Sequence, residues 1–365
     1  MKHVVLILAL VLAGCVFPAV ALAEAIDDET VVIFNRAGID WHADGPGWQA
    51  HDGYVSRERG QVIEARINLP QLPIDQRDAR RIVLELTLEP VIITDGEVQR
   101  FSDPWPRLCH VTVVPNGAVD AGLIDDDEPG DDAGPKDSGV ELMRVVSGFG
   151  GSSTFTQDVT ALALLLDGET TIRVRLSTWT SPGWNVTLKA HFTQGEAGYR
   201  RPKLVQPIFR NLSLTAENNR AEAIVDIPPG LSLPRLRLLT TGHGGSQEFM
   251  SATHVIRIDG REVMRLRPWR EDGGSRHAEN PSSRRLNIDG RELWSSDIDR
   301  AGWMPGSVVK PITVPLPELT PGRHTIELQL LDVVPPTRGP EGNATSAGGY
   351  WMISGQIVAD EPWPR

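Results

Sequence analysis

The sequence predicts an all-β protein of two domains, and three observations predict it. Apolar and polar residues alternate with a period of two in segment after segment. The chain carries 35 glycines and 28 prolines, which supply turns at the spacing of sandwiches or barrels. Its 365 residues are too many for one small core.

The chain starts with Lys2 and His3, followed by an uncharged apolar run from Val4 to Ala23. The run closes on Ala21-Leu22-Ala23, a small-x-small pattern, so residues 1–23 read as a signal peptide cut before Glu24. A second reading stays open: Leu12-Ala13-Gly14-Cys15 matches a lipobox, which would leave a lipoprotein anchored through Cys15. Either route exports the chain, to the periplasm or beyond it. Net charge is −12, the wrong sign for a nucleic-acid partner. After cleavage Cys109 is the remaining cysteine, and one thiol closes no intrachain disulfide. No cofactor is called for, and a monomer is expected.

Strands are expected at Val62–Leu69, Ile82–Leu88, His110–Val114, Ile172–Leu176, Val186–Phe192 and Ile326–Leu330, each with one apolar and one polar face. Asp259-Gly260 between two such runs reads as a tight hairpin, and Asp289-Gly290 repeats the signal. Thr156 to Asp167 is the one helical candidate, although its leucines fit a strand and turn as well. The acidic run from Asp125 to Asp137 invites a calcium loop, but the twelfth position is Lys136, so a solvated loop is expected. Composition breaks at Gly195 to Pro202, which sets the domains at 24–198 and 199–365. There is no Gly-x-Ser-x-Gly elbow for a serine hydrolase. Nine histidines without a His-x-His pair offer little to a metal. The sequons at Asn185, Asn211 and Asn343 read as chance matches.

Two later segments carry chemistry. Thr240-Thr-Gly-His-Gly-Gly-Ser-Gln-Glu-Phe249 is a glycine-rich turn leading to a carboxylate and an aromatic ring, and Asp299-Arg-Ala-Gly-Trp-Met-Pro-Gly306 adds an arginine and a tryptophan. Together they are suited to a polar pocket with an aromatic wall; ordinary sandwich loops are the alternative.

Both segments resemble the peptide:N-glycosidase F family, amidases that cut between asparagine and the first N-acetylglucosamine of an N-linked glycan. The family's Gly-rich loop, catalytic Glu and following aromatic match Glu248 and Phe249, and its Asp-Arg-Ala-Gly-Trp-Cys-Pro-Gly segment places its site arginine at Arg300. Tyr199 to Asn211 and Tyr350 to Ser354 extend the similarity to about 165 residues, and it continues more thinly through the first domain. The resemblance implies two eight-stranded antiparallel jelly rolls packed side by side, with a site between them.

The first domain departs from the family where its chemistry concentrates. Pro106, in Asp103-Pro104-Trp105-Pro106-Arg107, stands where the family has its principal aspartate, and Ser177 where it has a second glutamate. His243 replaces a tryptophan, and Ser246, Met250 and Met304 replace cysteines. Proline cannot titrate, and Asp103 substitutes only if the Pro-Trp-Pro stretch turns. His243, with a pKa near neutrality, is the better partner for Glu248. One expectation is therefore an amidase with a rebuilt site: Glu248 and His243 catalytic, with Arg300, Trp105, Trp179, Phe249 and Trp303 binding an N-glycosylated peptide or protein. The second is a non-catalytic protein that binds the free glycan or glycoprotein through the same residues. A copper-dependent monooxygenase of the same architecture is a third, remote class.

Overall fold

The computed structural model describes residues 28–45, 47–71, 80–114, 139–195, 202–244, 247–272, 285–288, 290–294, 298–338, 344–346 and 348–362. The signal segment, Cys15, the acidic run 125–137 and Ser246 lie outside them.

Two β-sandwiches form the molecule. Eight core strands build the first: β1 (Glu29–Ile39), β2 (Val62–Leu69), β3 (Arg80–Pro90), β4 (Leu108–Val114), β5 (Val140–Val146), β6 (Ser153–Asp158), β7 (Gly168–Leu176) and β8 (Trp184–Gln194). One sheet runs β1-β8-β3-β6. The other runs β2-β7-β4-β5, with Trp48–Ala50 and Val55–Arg57 added at one edge and Ser307–Val308, from the second domain, at the opposite edge. The second sandwich uses β9 (Pro202–Thr215), β10 (Arg220–Ile227), β11 (Ser232–His243), β12 (Thr253–Ile258), β13 (Arg261–Leu266), β14 (Ile312–Pro315), β15 (Gly322–Leu331) and β16 (Tyr350–Asp360). Its sheets run β9-β16-β11-β14 and β10-β15-β12-β13. Both domains therefore wind their core strands in the same order, and every pairing is antiparallel.

Alternation does what it promises where a sheet faces water on one side. Along β3 and β8, Ile82, Leu84, Leu86 and Leu88 meet Val186, Leu188, Ala190 and Phe192 in the first core. Each fully buried aliphatic side chain of this kind contributes roughly 1.5–3 kcal/mol. The Asp259-Gly260 hairpin joins β12 to β13 with both residues at positive φ (50° and 80°), as a type I′ turn requires. Thr156–Asp167 divides between the end of β6 and a 3-10 turn at Thr160–Leu165, so the strand-and-turn alternative describes it and a helix does not.

Alternation fails at β4 and β5, which are buried on both faces because the second domain covers the face that would otherwise meet solvent. The polar residues His110, Thr112, Glu141 and Arg144 lie within this covered layer. Glu141 and Arg144 are three apart, an odd offset that should send them to opposite faces. A bulge corrects this: Val111 pairs with Met143 and Thr112 with Glu141, which leaves Leu142 unmatched. Both charges then share a face, and Arg144 grips both Glu141 oxygens, Nε to Oε1 at 2.8 Å and Nη2 to Oε2 at 2.7 Å. The same guanidinium crosses the interface, donating Nη1 to Thr241 Oγ1 at 2.9 Å and to the Met352 carbonyl at 2.6 Å. From the second domain, Arg237 donates to the carbonyls of Glu141 (3.2 Å) and Leu142 (2.8 Å), at the bulge itself.

A buried pair stripped of one member leaves an uncompensated charge, at a cost of about 3–5 kcal/mol. Arg144→Met or Glu141→Leu alone is expected to lower the unfolding free energy by about that much. The double variant should cost less than the sum. Urea unfolding curves of the four proteins check this, and strict additivity would show that the pair is uncoupled.

Candidate functional site

The site grows from the end of β11. This strand finishes at Gly242-His243, turns at Gly244 (φ 74°) and enters a single 3-10 turn, Gln247–Phe249, before β12. Buried Gln247 holds the turn in place: its Nε2 donates to the Met250 carbonyl at 2.6 Å and its Oε1 accepts from Val334 N at 2.8 Å. The second segment threads between strand and turn. Gly242 N donates to the Ala301 carbonyl, and Ala301 N donates to the Glu248 carbonyl, both at 2.9 Å. Arg300 is fixed on its other side by two backbone bonds with Arg270. Two glycines permit this closeness. A Cβ on Gly242 would stand 2.7 Å from the Ala301 Cβ, and one on Gly302, at φ 81°, would stand 2.6 Å from the Thr240 carbonyl oxygen.

These contacts bring Glu248, Phe249, Arg300 and Trp303 together. Arg300 Nη1 lies 3.2 Å from Glu248 Oε2, and the guanidinium carbon sits 4.9 Å from the Phe249 ring centre and 4.7 Å from that of Trp303. Trp303 donates its indole N–H to the Gly242 carbonyl at 2.8 Å and is buried, whereas Phe249 is 43% exposed. Burial pushes the Glu248 carboxyl above its ordinary range, although Arg300 opposes the shift. Burial also lowers Arg300, with Glu248 opposing that shift in turn. A raised carboxyl with an open side is the kind of group that suits proton transfer.

His243 is placed beside Trp303 rather than against Glu248. Its ring stacks on Trp303 (5.6 Å, 22°) and lies 5.6 Å from Tyr350, its cross-strand partner on β16. Its Nε2 is 2.7 Å from Thr241 Oγ1. Burial, with Arg144 and His110 nearby, pushes the imidazole down to about 3, so it stays neutral. Among the described residues, the hydrogen-bond partner of the Glu248 carboxylate is Arg300; the expected Glu248–His243 bond is not formed.

The first domain adds a second cluster beside the interface: Arg107 and Ser147 exchange hydrogen bonds, and the next residue, Leu108, packs against the apolar cluster of Val146, Leu239, Trp303 and Val309. The Pro-Trp-Pro stretch does turn, and Trp105 N points at Asp103 Oδ1 (3.4 Å). Asp103 is nonetheless fully buried and committed. Its Oδ2 accepts from Arg107 Nε (2.7 Å), Thr178 Oγ1 (2.6 Å) and Trp184 Nε1 (3.1 Å). Burial alone would raise this carboxyl, but the three donors hold it low and ionised. Asp103 is a structural anion, with Oδ2 committed to three donors. It fixes Arg107, whose guanidinium lies 5.0 Å from the Trp179 ring centre. Trp105 and Trp179 are 55% and 57% exposed, large apolar rings offered to solvent.

Residues 212–358 match the family model for the C-terminal domain of peptide-N-glycosidase F. The second domain is similar to that C-terminal domain, and the chain as a whole has the fold of solved peptide-N-glycosidase F structures. It is similar over 92% of its length to PNGase F, a glycosylasparaginase from Flavobacterium meningosepticum, covering 96% of that chain at 18% identity with a TM-score of 0.65. It is similar over 93% of its length to PNGF-II at 21% identity with a TM-score of 0.72, and spans 66% of that chain, just under two thirds. At these identities the structures share a fold. No curated protein matches the chain by sequence.

On this peptide-N-glycosidase F-like frame, Glu248, Phe249, Arg300 and Trp303 form one group, Trp105 and Trp179 a second around Arg107, and His243 a bridge behind the first. Arg107, Tyr350 and Thr241 lie within motifs of the sequence but were not singled out for the site, and Arg144 was not noted at all. The signal for Arg144 was two opposite charges inside the apolar strand Val140-Glu-Leu-Met-Arg-Val-Val146. His254, also buried, is pushed down to about 4 and is held between Thr240 Oγ1 (2.8 Å) and the Ala252 carbonyl (3.1 Å).

Imidazoles with depressed folded pKa values bind more protons when unfolded between about pH 6.5 and 4. Stability is therefore complete above pH 6.5 and is lost as pH falls through that window, by up to about 1.4 kcal/mol per pH unit for each imidazole. Glu141, held low by Arg144 and His110 against the effect of burial, adds loss in the same direction below about 4.5. Urea unfolding at pH 7, 6, 5 and 4 should show a falling midpoint, with a shallower fall in His254→Gln. A flat profile would contradict it.

Proposed function

We propose that the protein is exported and acts on N-glycosylated peptides, with Glu248 as its one proton-transferring carboxylate. In this reading Arg300 polarises the amide carbonyl between asparagine and sugar. Glu248 accepts a proton from water as the oxygen bonds the carbonyl carbon, then returns it to the leaving glycosylamine nitrogen as the C–N bond breaks. Trp105 and Trp179 stack on sugar faces, Phe249 borders the entrance, and Trp303 backs Arg300 as a wall. His243, the other candidate for proton transfer, would have to release Thr241 and gain charge against its burial, so we assign it to the wall. The observation that carries the reading is Glu248 itself: a third exposed at its side chain, raised by burial, and 3.2 Å from Arg300. Pro106 and Ser177, where a relative's carboxylates would stand, favour a second reading, in which the same residues bind the glycopeptide without turnover.

Incubation with a denatured N-glycoprotein, followed by mass spectrometry of released oligosaccharide, separates the two. Under the first reading wild type releases glycan, and Glu248→Gln loses release by ~100-fold or more. Saturable glycopeptide binding without release, abolished in Trp105→Ala/Trp179→Ala, establishes the second. Neither release nor binding overturns both.

A further inference from the structure

Buried hydrogen bonds run without a break from the first domain to the back of the candidate site. Arg144 presents only donors, so the Thr241 hydroxyl oxygen accepts from Arg144 Nη1 at 2.9 Å. Among the described residues, the other partner of that hydroxyl is His243 Nε2 at 2.7 Å. The single Thr241 O–H is thus free to donate to His243; in that arrangement Nε2 accepts and the ring proton sits on Nδ1. Thr241 and His243 stand two apart on β11 and share a face, and the residue between them is the glycine that lets Ala301 approach. Beyond His243 come the stacked Trp303 and, against Trp303, the Arg300 guanidinium that meets Glu248.

We propose that Thr241 and Arg144 are positioning residues for the Glu248–Arg300 site. Arg144 fixes the Thr241 hydroxyl, Thr241 fixes the tautomer and orientation of His243, and His243 sets the Trp303 ring that backs Arg300. The first domain thereby shapes a site whose nearest groups all belong to the second. The alternative is that these bonds only glue the domains together, and Ser354 supplies the comparison. Its Oγ also accepts from Arg144, Nη2 at 3.4 Å, but it leads to Asn211 N and away from His243. The functional arm of the test rests on the reading of Glu248–Arg300 as the site; the structural arm does not.

Thr241→Val keeps the shape of the side chain while removing both bonds. In wild type, 15N NMR of His243 is expected to show an unprotonated Nε2. In Thr241→Val the tautomer balance should change, the Glu248 carboxyl titration followed by 13C NMR should move, and the response to N-glycopeptide, as release or as affinity, should fall ~10- to 100-fold. Thr241→Ser should restore all three, and Ser354→Ala should leave all three at wild-type values despite its cost in stability. A protonated Nε2 in wild type overturns the proposal even if Thr241→Val fails to fold. So does Thr241→Val with an unchanged Glu248 titration, or Ser354→Ala with the same changes as Thr241→Val. If Thr241→Val moves the Glu248 titration while Glu248→Gln leaves the glycopeptide response intact, the positioning stands and the glycopeptide reading falls.

Discussion

The grip of Arg144 on Glu141, buried between two sandwiches, is the interaction on which the rest of this molecule depends. Neither charge reaches water, so each must be satisfied in full by protein. Glu141 receives both arms of Arg144 and His110 Nδ1 at 2.8 Å. Arg144 has donors left after Glu141 is served, and the acceptors that take them are Thr241, Met352 and Ser354 in the second domain. The demand of one buried cation therefore specifies how the domains meet. Arg237 repeats the arrangement from the other side: burial brings its guanidinium down to about 10 despite Glu141, and it satisfies carbonyls that the bulge leaves exposed. Hydrophobic contact alone would tolerate sliding. Two reciprocal guanidinium groups set into each other's backbone do not.

This registration reaches the candidate site through covalent neighbours as well as hydrogen bonds. The segment carrying Arg300 and Trp303 continues into Ser307–Val308, which pairs with Val146 and Val145 on β5, and Val309 N donates to the Arg144 carbonyl at 2.8 Å. The strand that holds the interface charge thus also holds the downstream end of the site segment. Its upstream end is clamped by Arg270 and Glu248 backbone bonds. A loop tied at both ends behaves as part of the scaffold, and the precision of a polar site depends on that.

How much of this was legible beforehand differs by link. Strands facing water on one side, such as β2 at Val62–Leu69, follow from alternation because their environment is itself two-sided. The Asp259-Gly260 turn follows from backbone conformation that few residue types accept. β4, expected to be half-exposed from His110–Val114, is buried on both faces, and β5 was not anticipated as a strand; the surface that covers them lies more than 90 residues further along the chain, as the Arg144–Thr241 separation of 97 shows. Periodicity contains no term for that. The grouping of Glu248, Phe249 and Arg300 was visible through resemblance, since the order of small motifs survives at low identity. The fates of Asp103 and His243 were not visible. A lone Asp or His in text carries no sign of whether it faces a cavity or is consumed by three donors, as Asp103 is, or by a hydroxyl and two aromatic rings, as His243 is.

What survives at the centre is one carboxylate facing one guanidinium, and the balance between them sets what the site can do. Left alone, a neighbouring cation would lower Glu248 and make it a poor proton carrier. Burial works the other way and prevails, but it also weakens Arg300's preference for its charged form. The two groups are therefore matched more closely than either would be in water. A polar ligand group placed between them would take Arg300's donor and leave the carboxyl to gain or lose a proton. Under the amidase reading proposed above, in which Pro106 and Ser177 stand where a relative has carboxylates, a water or hydroxyl at this site would exchange protons with Glu248. That side chain would then serve as base and acid in turn, which demands that the nucleophile and the leaving nitrogen lie on its one open edge. The fixed placement of Arg300, Trp303 and the turn beneath Glu248 is what makes such a demand physically reasonable, because an orientation held by the backbone on both sides costs nothing further when a ligand arrives.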